Sequence, residues 1–393
     1  MIQLNAGKVK RGVNRTAKQK ETSTCPDKRT KVKMHSLPEE LMINILVLLP
    51  ADVLYNTVRY VSFHWYKIIH DPFFIKAHLL RANAGLFIKY IFPSYNTYYV
   101  DMSTKDVTVT EINSHEFSGK VWESCDGLLL FSDPEDEGKL RVINPITKQW
   151  VALPPFPSNW ELFSSSFTLA RAHSTGEYKV AATYHCSTYE VFQCAIVTVG
   201  KKDVTWRTIN TEHVSTSNKR ILGFCPQSAG GYAYWITEIH PRFLILDVEA
   251  EVVHEFPAPK LFKKGLSITY LEIGDTLGCM FWCCPELVCE VLVLTDPKRG
   301  KWENLYKFDL HAERHMISSA LYKVASPRKY LTLSPIAWLN NGEVVVFANF
   351  SKNITYFIAR NVKTGDTYSF CMGEGKGVPY FLVHVNSLVL LEP

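Results

Sequence analysis

Three stretches of this 393-residue chain gather side-chain types that do chemistry in other settings. His311-Ala312-Glu313-Arg314-His315 sets two imidazoles four residues apart, a spacing that suits two zinc ligands on one helix face. Its glutamate, however, follows the first histidine by two positions. The metalloprotease motif needs it directly after, and the inverted motif needs it one position later than here. Cys279, Cys283, Cys284 and Cys289 crowd one apolar stretch. Neighbours in a strand face opposite ways, so Cys283 and Cys284 cannot reach one ion without a bulge, and the four read as small buried hydrophobes. Gly373-Glu374-Gly375-Lys376-Gly377 has the glycine content of a phosphate loop but lacks its Gly-Lys-Ser/Thr ending and following helix, so it reads as a turn. The tryptophans read as core, with Trp150, Trp206 and Trp302 in equivalent positions, rather than as a base-stacking platform. No catalytic residue, cofactor site or metal site is expected.

Composition narrows the class further. Apolar residues make up 47% and charged residues 21%, which excludes global disorder, and 13% aromatic residues lean toward strands. Ten cysteines without a Cys-x-x-Cys pair point to a reduced compartment. The apolar run from Leu277 to Leu294 is broken by Pro285, Glu286 and Glu290, so no membrane-spanning helix and no membrane partner are expected. The net charge of +5 divides into +8 for residues 1–33 and −3 for the rest. A basic stretch so poor in large apolar residues is expected to be a disordered tail. It reads as a nuclear-import signal dense at Lys28–Lys33, a loose nucleic-acid contact, or a solvated leader. The expected location is the nucleus, the cytoplasm or both.

From Ser36 the hydrophobic period becomes helical. Leu37, Leu41, Ile45 and Leu49 fall four apart, with Met42 and Leu46 beside them. Ser36 is the expected cap, Glu39 and Glu40 complement the helix dipole, and Pro50 stops the helix. Further helices are predicted over 52–60, after Ser62, and from Asp71-Pro72. Some 45 residues of small bundle make a marginal core, which suggests that a partner completes its apolar surface. The run Leu37-Pro38-Glu39-Glu40-Leu41, Ile45-Leu46, Leu49-Pro50, Leu54, Arg59, Val61-Ser62, Trp65, Ile69 and Asp71-Pro72-Phe73-Phe74 resembles the plant-type F-box. It departs at Asn44, where an acidic residue is common, and at Phe63-His64. The resemblance implies a Skp-family adaptor as partner and, through it, a cullin–RING ubiquitin ligase. The adaptor-binding residues carried over are Leu37, Pro38, Leu41, Ile45, Leu46, Leu49, Pro50, Leu54, Val61 and Trp65.

After about residue 95 the period switches to two, and no amphipathic segment is long enough to cover a parallel sheet. A turn residue is followed six positions later by a β-branched or aromatic residue in six places: Asp101–Val107, Asn144–Trp150, Gly200–Trp206, Asp247–Val253, Asp296–Trp302 and Asn361–Thr367. The turns are separated by 43, 56, 47, 49 and 65 positions, close to the length of a four-stranded propeller blade. Six hairpins argue for about six blades. The longest gap leaves room for a seventh, and a two-sheet sandwich uses similar strands. Tyr380–Leu391 is a strand without a sequence neighbour and is expected to close the ring against Tyr98–Val109.

Ser124-Cys125-Asp126-Gly127, Asn144-Pro145 to Pro154, Gly231–Trp235, Leu246-Asp247 with Glu255-Phe256-Pro257, and His384–Val389 resemble the F-box-associated, kelch-like domain of plant F-box proteins. The expected fold is therefore α+β and multidomain. A disordered basic tail (1–33) leads into a small N-terminal helical F-box (34–82), followed by an all-β propeller of six to seven blades (95–393). The expected function is non-catalytic: the propeller holds an unknown protein target while the F-box holds the ligase. A non-ligase propeller that binds nucleic acid or carbohydrate is the alternative. Blade topology puts the blade-to-blade crossings on one face, with Trp160, Lys219, Arg220, Lys260, Phe262, Lys263, Lys264 and Arg314 as candidate contacts to an acidic or phosphorylated target.

Overall fold

A computed structural model describes residues 38–91, 96–102, 107–112, 119–133, 136, 138–157, 161–186, 191–202, 204–237, 241–259, 267–283, 287–313, 333–350, 354–373 and 378–391. The basic tail, Ser36 and Leu37 lie outside them. Residues 1–42 and 43–393 form separate compact units. Four short helices come first: α1 (Glu39–Leu46), α2 (Ala51–Asn56), α3 (Phe63–Ile69) and α4 (Pro72–Leu79). Ser62 Oγ accepts the Trp65 N–H at 3.1 Å, and Asp71 Oδ1 accepts those of Phe73 and Phe74 at 2.9 and 3.1 Å. Each carboxylate or hydroxyl thus satisfies amides that the first helical turn leaves bare, and Pro72 has none to lose. The helix expected over 52–60 is divided at the β-branched Thr57, after which a 3-10 turn runs from Val58 to Tyr60.

After α4 come six antiparallel sheets of four strands. Blade one contains β1 (Ala84–Ile91), β2 (Thr97–Asp101) and β3 (Thr108–Ile112); blade two contains β4 (Val121–Cys125), β5 (Leu128–Ser132), β6 (Leu140–Ile143) and β7 (Trp150–Ala152). Blade three is β8 (Glu161–Arg171), β9 (Tyr178–Cys186), β10 (Val191–Thr198) and β11 (Arg207–Ile209). A short helix, α5 (Thr216–Lys219), precedes blade four: β12 (Gln227–Ala229), β13 (Tyr232–Trp235), β14 (Arg242–Asp247) and β15 (Val252–Pro257). Blade five is β16 (Ser267–Ile273), β17 (Thr276–Cys283), β18 (Val288–Asp296) and β19 (Lys301–Asp309). Blade six is β20 (Leu333–Leu339), β21 (Val344–Phe350), β22 (Ile354–Asn361) and β23 (Thr367–Gly373), and β24 (Val378–Val385) returns to complete blade one.

The six expected turns are the β2–β3, β6–β7, β10–β11, β14–β15, β18–β19 and β22–β23 hairpins, each the outer pair of its blade. Adjacent blades meet along β24, β4, β8, β12, β16 and β20, which form the inner ring and close it at six. Closure differs from the sequence expectation in its partner. β24 pairs with β1, in register from Ala84↔Val385 to Ile91↔Val378, and not with Tyr98–Val109. β1 itself lies in the 83–94 stretch that the sequence reading left between domains.

The core is distributed between blades rather than inside them. Separate buried clusters join blades one and two (Phe87, Val121, Leu129), two and three (Leu128, Phe167, Val180), three and four (Ile196, Trp235, Leu244), four and five (Phe243, Leu277, Phe281), five and six (Val291, Trp338, Phe347), and six and one (Leu86, Val346, Phe357). The three tryptophans taken as equivalent are not so. Trp150 is 60% exposed on its outer strand, whereas Trp206 stacks on Phe156 and Trp302 meets Phe243 edge-on. Among the described residues the indoles buried in the core are those of Trp235, Trp282 and Trp338.

Candidate functional surfaces

Strands one and three of a blade run in the same direction, so the inner-strand turns and the six hairpins share one face of the disc. The crossings to the next blade share the other. α2 and α4 belong to the turn face. Tyr55 Oη donates to the Thr147 carbonyl in the β6–β7 hairpin at 3.1 Å, and Ile75 and Leu79 of α4 pack into the cluster of Leu128, Val389 and Leu391. Within the helices, His78 Nε2 contacts the Leu49 carbonyl oxygen at 2.8 Å, tying α4 to the turn before α2. Burial of His78 pushes its imidazole down, so it is held in the neutral form.

The predicted adaptor stripe divides in two. Leu46 and Leu54 are 1% and 0% exposed, part of a helical core with Ala51, Val58, Ile68, Ile69 and Phe74. Their side chains lie inside that core. A helix narrower than its apolar stripe presents one edge to its own bundle and the other to solvent. Leu49 and Trp65 are half-buried, and Pro38, Leu41, Ile45, Pro50 and Val61 are exposed. Sequence reasoning missed four neighbours: Leu48, Tyr60, Phe63 and Phe73 are also exposed, Phe73 by 86%. Of sixteen large apolar side chains exposed among the described residues, ten fall between Leu41 and Leu80. That concentration is what marks an interface rather than scatter. Arg59 is placed over the Tyr55 ring, 3.5 Å from its centroid, and donates to Tyr60 Oη at 2.5 Å, which holds the Tyr60 side chain in place.

On the crossing face only Lys219 and Arg220 of the target candidates are described; Trp160, Lys260, Phe262, Lys263, Lys264 and Arg314 lie outside the described residues. Lys219 ends α5 half-buried and Arg220 follows it, exposed. Asn218 Nδ2 donates to Glu255 Oε1 at 2.7 Å, and Arg242 pairs with the same carboxylate, so the segment is anchored to β15.

Of the motifs set aside on spacing, Glu313, Cys279 and Cys289 are buried. Glu313 is 4% exposed; it pairs with Arg360 and accepts from Thr367 Oγ1 at 2.7 Å, bracing the entry to blade six. Cys279 and Cys289 are buried in different clusters, on opposite faces of blade five.

A feature the sequence reading missed is the channel at the turn face, a cavity of about 640 Å³ walled by the carboxyl ends of the inner strands and by Lys76–Ala84. Ser124 and Arg171 line it beside Asp126, Glu272 and Asp275. Behind its wall Glu123 accepts from Ser124 N at 3.1 Å and Thr168 Oγ1 at 3.0 Å, yet burial outweighs these bonds and pushes its carboxyl up to about 7. Ser124 Oγ and His384 Nδ1 lie 2.9 Å apart, but His384 is 1% exposed, burial takes its imidazole down to about 3, and Nε2 has no partner among the described residues to orient it as a base. The pair serves to join β4 to β24. The sequence signals for this channel were Asp126-Gly127 and Gly274-Asp275, which register first as turn chemistry.

Comparison with known proteins adds the family. Residues 79–374 match the F-box associated beta propeller domain. An Arabidopsis thaliana F-box protein is 26% identical over 381 residues, covering 91% of this chain and 94% of its own. The F-box protein CPR1 of the same plant is 25% identical over 288 residues, 64% of this chain and 67% of its own. An oligogalacturonate lyase in complex with manganese aligns over 70% of both chains at 14% identity and a TM-score of 0.39. The chain belongs to the plant F-box proteins with a C-terminal F-box associated beta propeller domain.

Proposed function

We propose that this protein is the target-recognition subunit of a Skp–cullin–RING ubiquitin ligase and performs no catalysis itself. The observation that carries this reading is the clustering of exposed apolar side chains on helices whose own core is already filled. Ile45, Leu48, Val61 and Phe63 are exposed among the described residues, and a Skp-family adaptor would bury them. α2 and α4 stand on the turn face, and the target is assigned to the opposite, crossing face. Lys219 and Arg220 there favour an acidic or phosphorylated segment through charge-assisted bonds. The chain's contribution is then proximity, holding target and ligase together so that ubiquitin transfer is effectively intramolecular. Pull-down with a recombinant plant Skp-family adaptor tests the assignment. Wild-type protein is expected to retain the adaptor, and the Ile45→Asp, Val61→Asp double variant to lose it while unfolding at the wild-type temperature, because an unpaired carboxylate buried in an interface is strongly disfavoured. Undiminished capture by the double variant would overturn the reading.

A further inference from the structure

Two sides of α4 are already occupied. At about 100° per residue, Phe74 and His78 share one side of the helix, and Ile75 and Leu79 share another about 100° round. Phe74 and His78 are buried among the helices, 3% and 4% exposed, with His78 Nε2 on the Leu49 carbonyl oxygen. Ile75 and Leu79 pack instead against the cluster between blades two and three, to which the segment after β24 contributes Val389 and Leu391. α2 reaches the propeller at a second point, where Tyr55 Oη donates to the Thr147 carbonyl in the β6–β7 hairpin. That hairpin also holds the same segment. Asn144 Nδ2 donates to the Ser387 and Val389 carbonyls at 3.1 and 2.7 Å, and the Leu391 amide donates to Gln149 Oε1 at 2.9 Å. Ser387, Leu388, Val389 and Leu391 are all buried.

These contacts fix an orientation. The covalent connection from Leu79 to Ala84 is a single crossing of the chain, about which a rigid body can turn, and two further contacts from different helices remove that rotation. Neither folded part needs them for its own core. The helical core is Leu46, Leu54, Ile68, Ile69 and Phe74, and the ring closes through the β24–β1 pairing, which ends at Val385. We propose that residues 386–391 are the seat that orients α2 and α4 on the propeller. Ile75 and Leu79 are positioning residues that rest on it, and Tyr55 rests on the hairpin that holds it. Its consequence for transfer rests on the adaptor reading above: the seat sets the direction in which a bound adaptor points, and so the gap that ubiquitin must cross to a held target.

Distance distributions between two spin labels test this on the full chain without any ligase component, and so separately from the adaptor reading. The labels are genetically encoded at Ala77 on α4 and Ala250 in the β14–β15 turn, both exposed. With no further change the chain is expected to give one narrow distribution. A chain ending at residue 385, and separately the Ile75→Ser, Leu79→Ser double variant, are each expected to broaden it by about twofold or more, while the helices of the shortened chain keep their amide-exchange protection. Leu79→Met, which keeps the apolar contact, is expected to leave the width unchanged. A distribution already broad in the full chain overturns the proposal, as does an unchanged width in the shortened chain or in the double variant. Broadening by Leu79→Met as large as by the double variant overturns it as well. Loss of amide protection at Leu54 and Ile69 in the shortened chain overturns it too, because the segment would then belong to the helical core and would not be a seat.

Discussion

Asn144 shows how one side chain can serve two parts of the chain. It is fully buried; its Oδ1 accepts the Ile146 and Thr147 amides at 2.8 and 3.3 Å, which shapes the β6–β7 hairpin. Its Nδ2 donates to the Ser387 and Val389 carbonyls at 3.1 and 2.7 Å, which secures the segment after β24. Asn144→Ala removes both and leaves two buried carbonyls without that donor, so a loss of about 2–4 kcal/mol is expected in urea unfolding. A loss below about 0.5 kcal/mol would show that the hairpin and the tail stand independently. Glu123 makes a prediction in pH. Its carboxyl binds a proton more tightly when folded, at about 7 against 4.5 for an unperturbed glutamate, so folding is unopposed by its charge below 4.5. The cost accrues as pH rises through that window and is complete above 7. Because Glu123 is only half-buried by surface area, Glu123→Gln should stabilise by about 2 kcal/mol near pH 8 and by little near pH 4.5. Equal effects at the two pH values would reject a burial origin.

At the scale of elements, the helices illustrate a stripe divided between two masters. Leu54 on α2 is buried and Ile45 on α1 is exposed, although both are apolar members of the expected adaptor surface. Leu54→Ala is expected to cost about 2–5 kcal/mol in thermal or urea unfolding, and Ile45→Ala less than about 0.5 kcal/mol. If the isolated chain lost comparable stability from both, Ile45 would be core and the exposed surface smaller than described. The caps at Ser62 and Asp71 were legible because capping is local: a side chain reaches an amide two or three residues on. Division of the stripe was not legible, because periodicity records that a side chain is apolar and not what covers it.

For the whole molecule, closure is the decisive step. β24 supplies the inner strand of blade one, and the residues after it run on to blade two, where Leu388, Val389 and Leu391 are buried and Gln149 Oε1 accepts the Leu391 amide at 2.9 Å. Gly127, at φ +83°, lies so close to this path that a Cβ there would stand 2.5 Å from the Val385 carbonyl oxygen. A chain ending at residue 385 keeps β24 and loses the tail; it should unfold cooperatively but about 3–5 kcal/mol less stable, after the ordering entropy of the tail is deducted. A chain ending at residue 377 leaves both β1 and the inner ring open, and loss of a single cooperative transition is expected. Retention of one sharp transition by the shorter chain would mean that the ring does not depend on its last strand. Sequence alone determined the helical N-terminal region and the six outer hairpins, and left the blade count at six or seven, because caps, turn residues and alternation act over a few positions. It also singled out Asn144 and the His384–Val389 run without showing that they meet. Only the tertiary structure decided that β24 pairs with β1, that Trp150 is exposed while Trp235 is core, and that carboxylates from blades two and five share one channel. Those outcomes depend on which residues from opposite ends of the chain come into contact, and periodicity carries no information about distance in space.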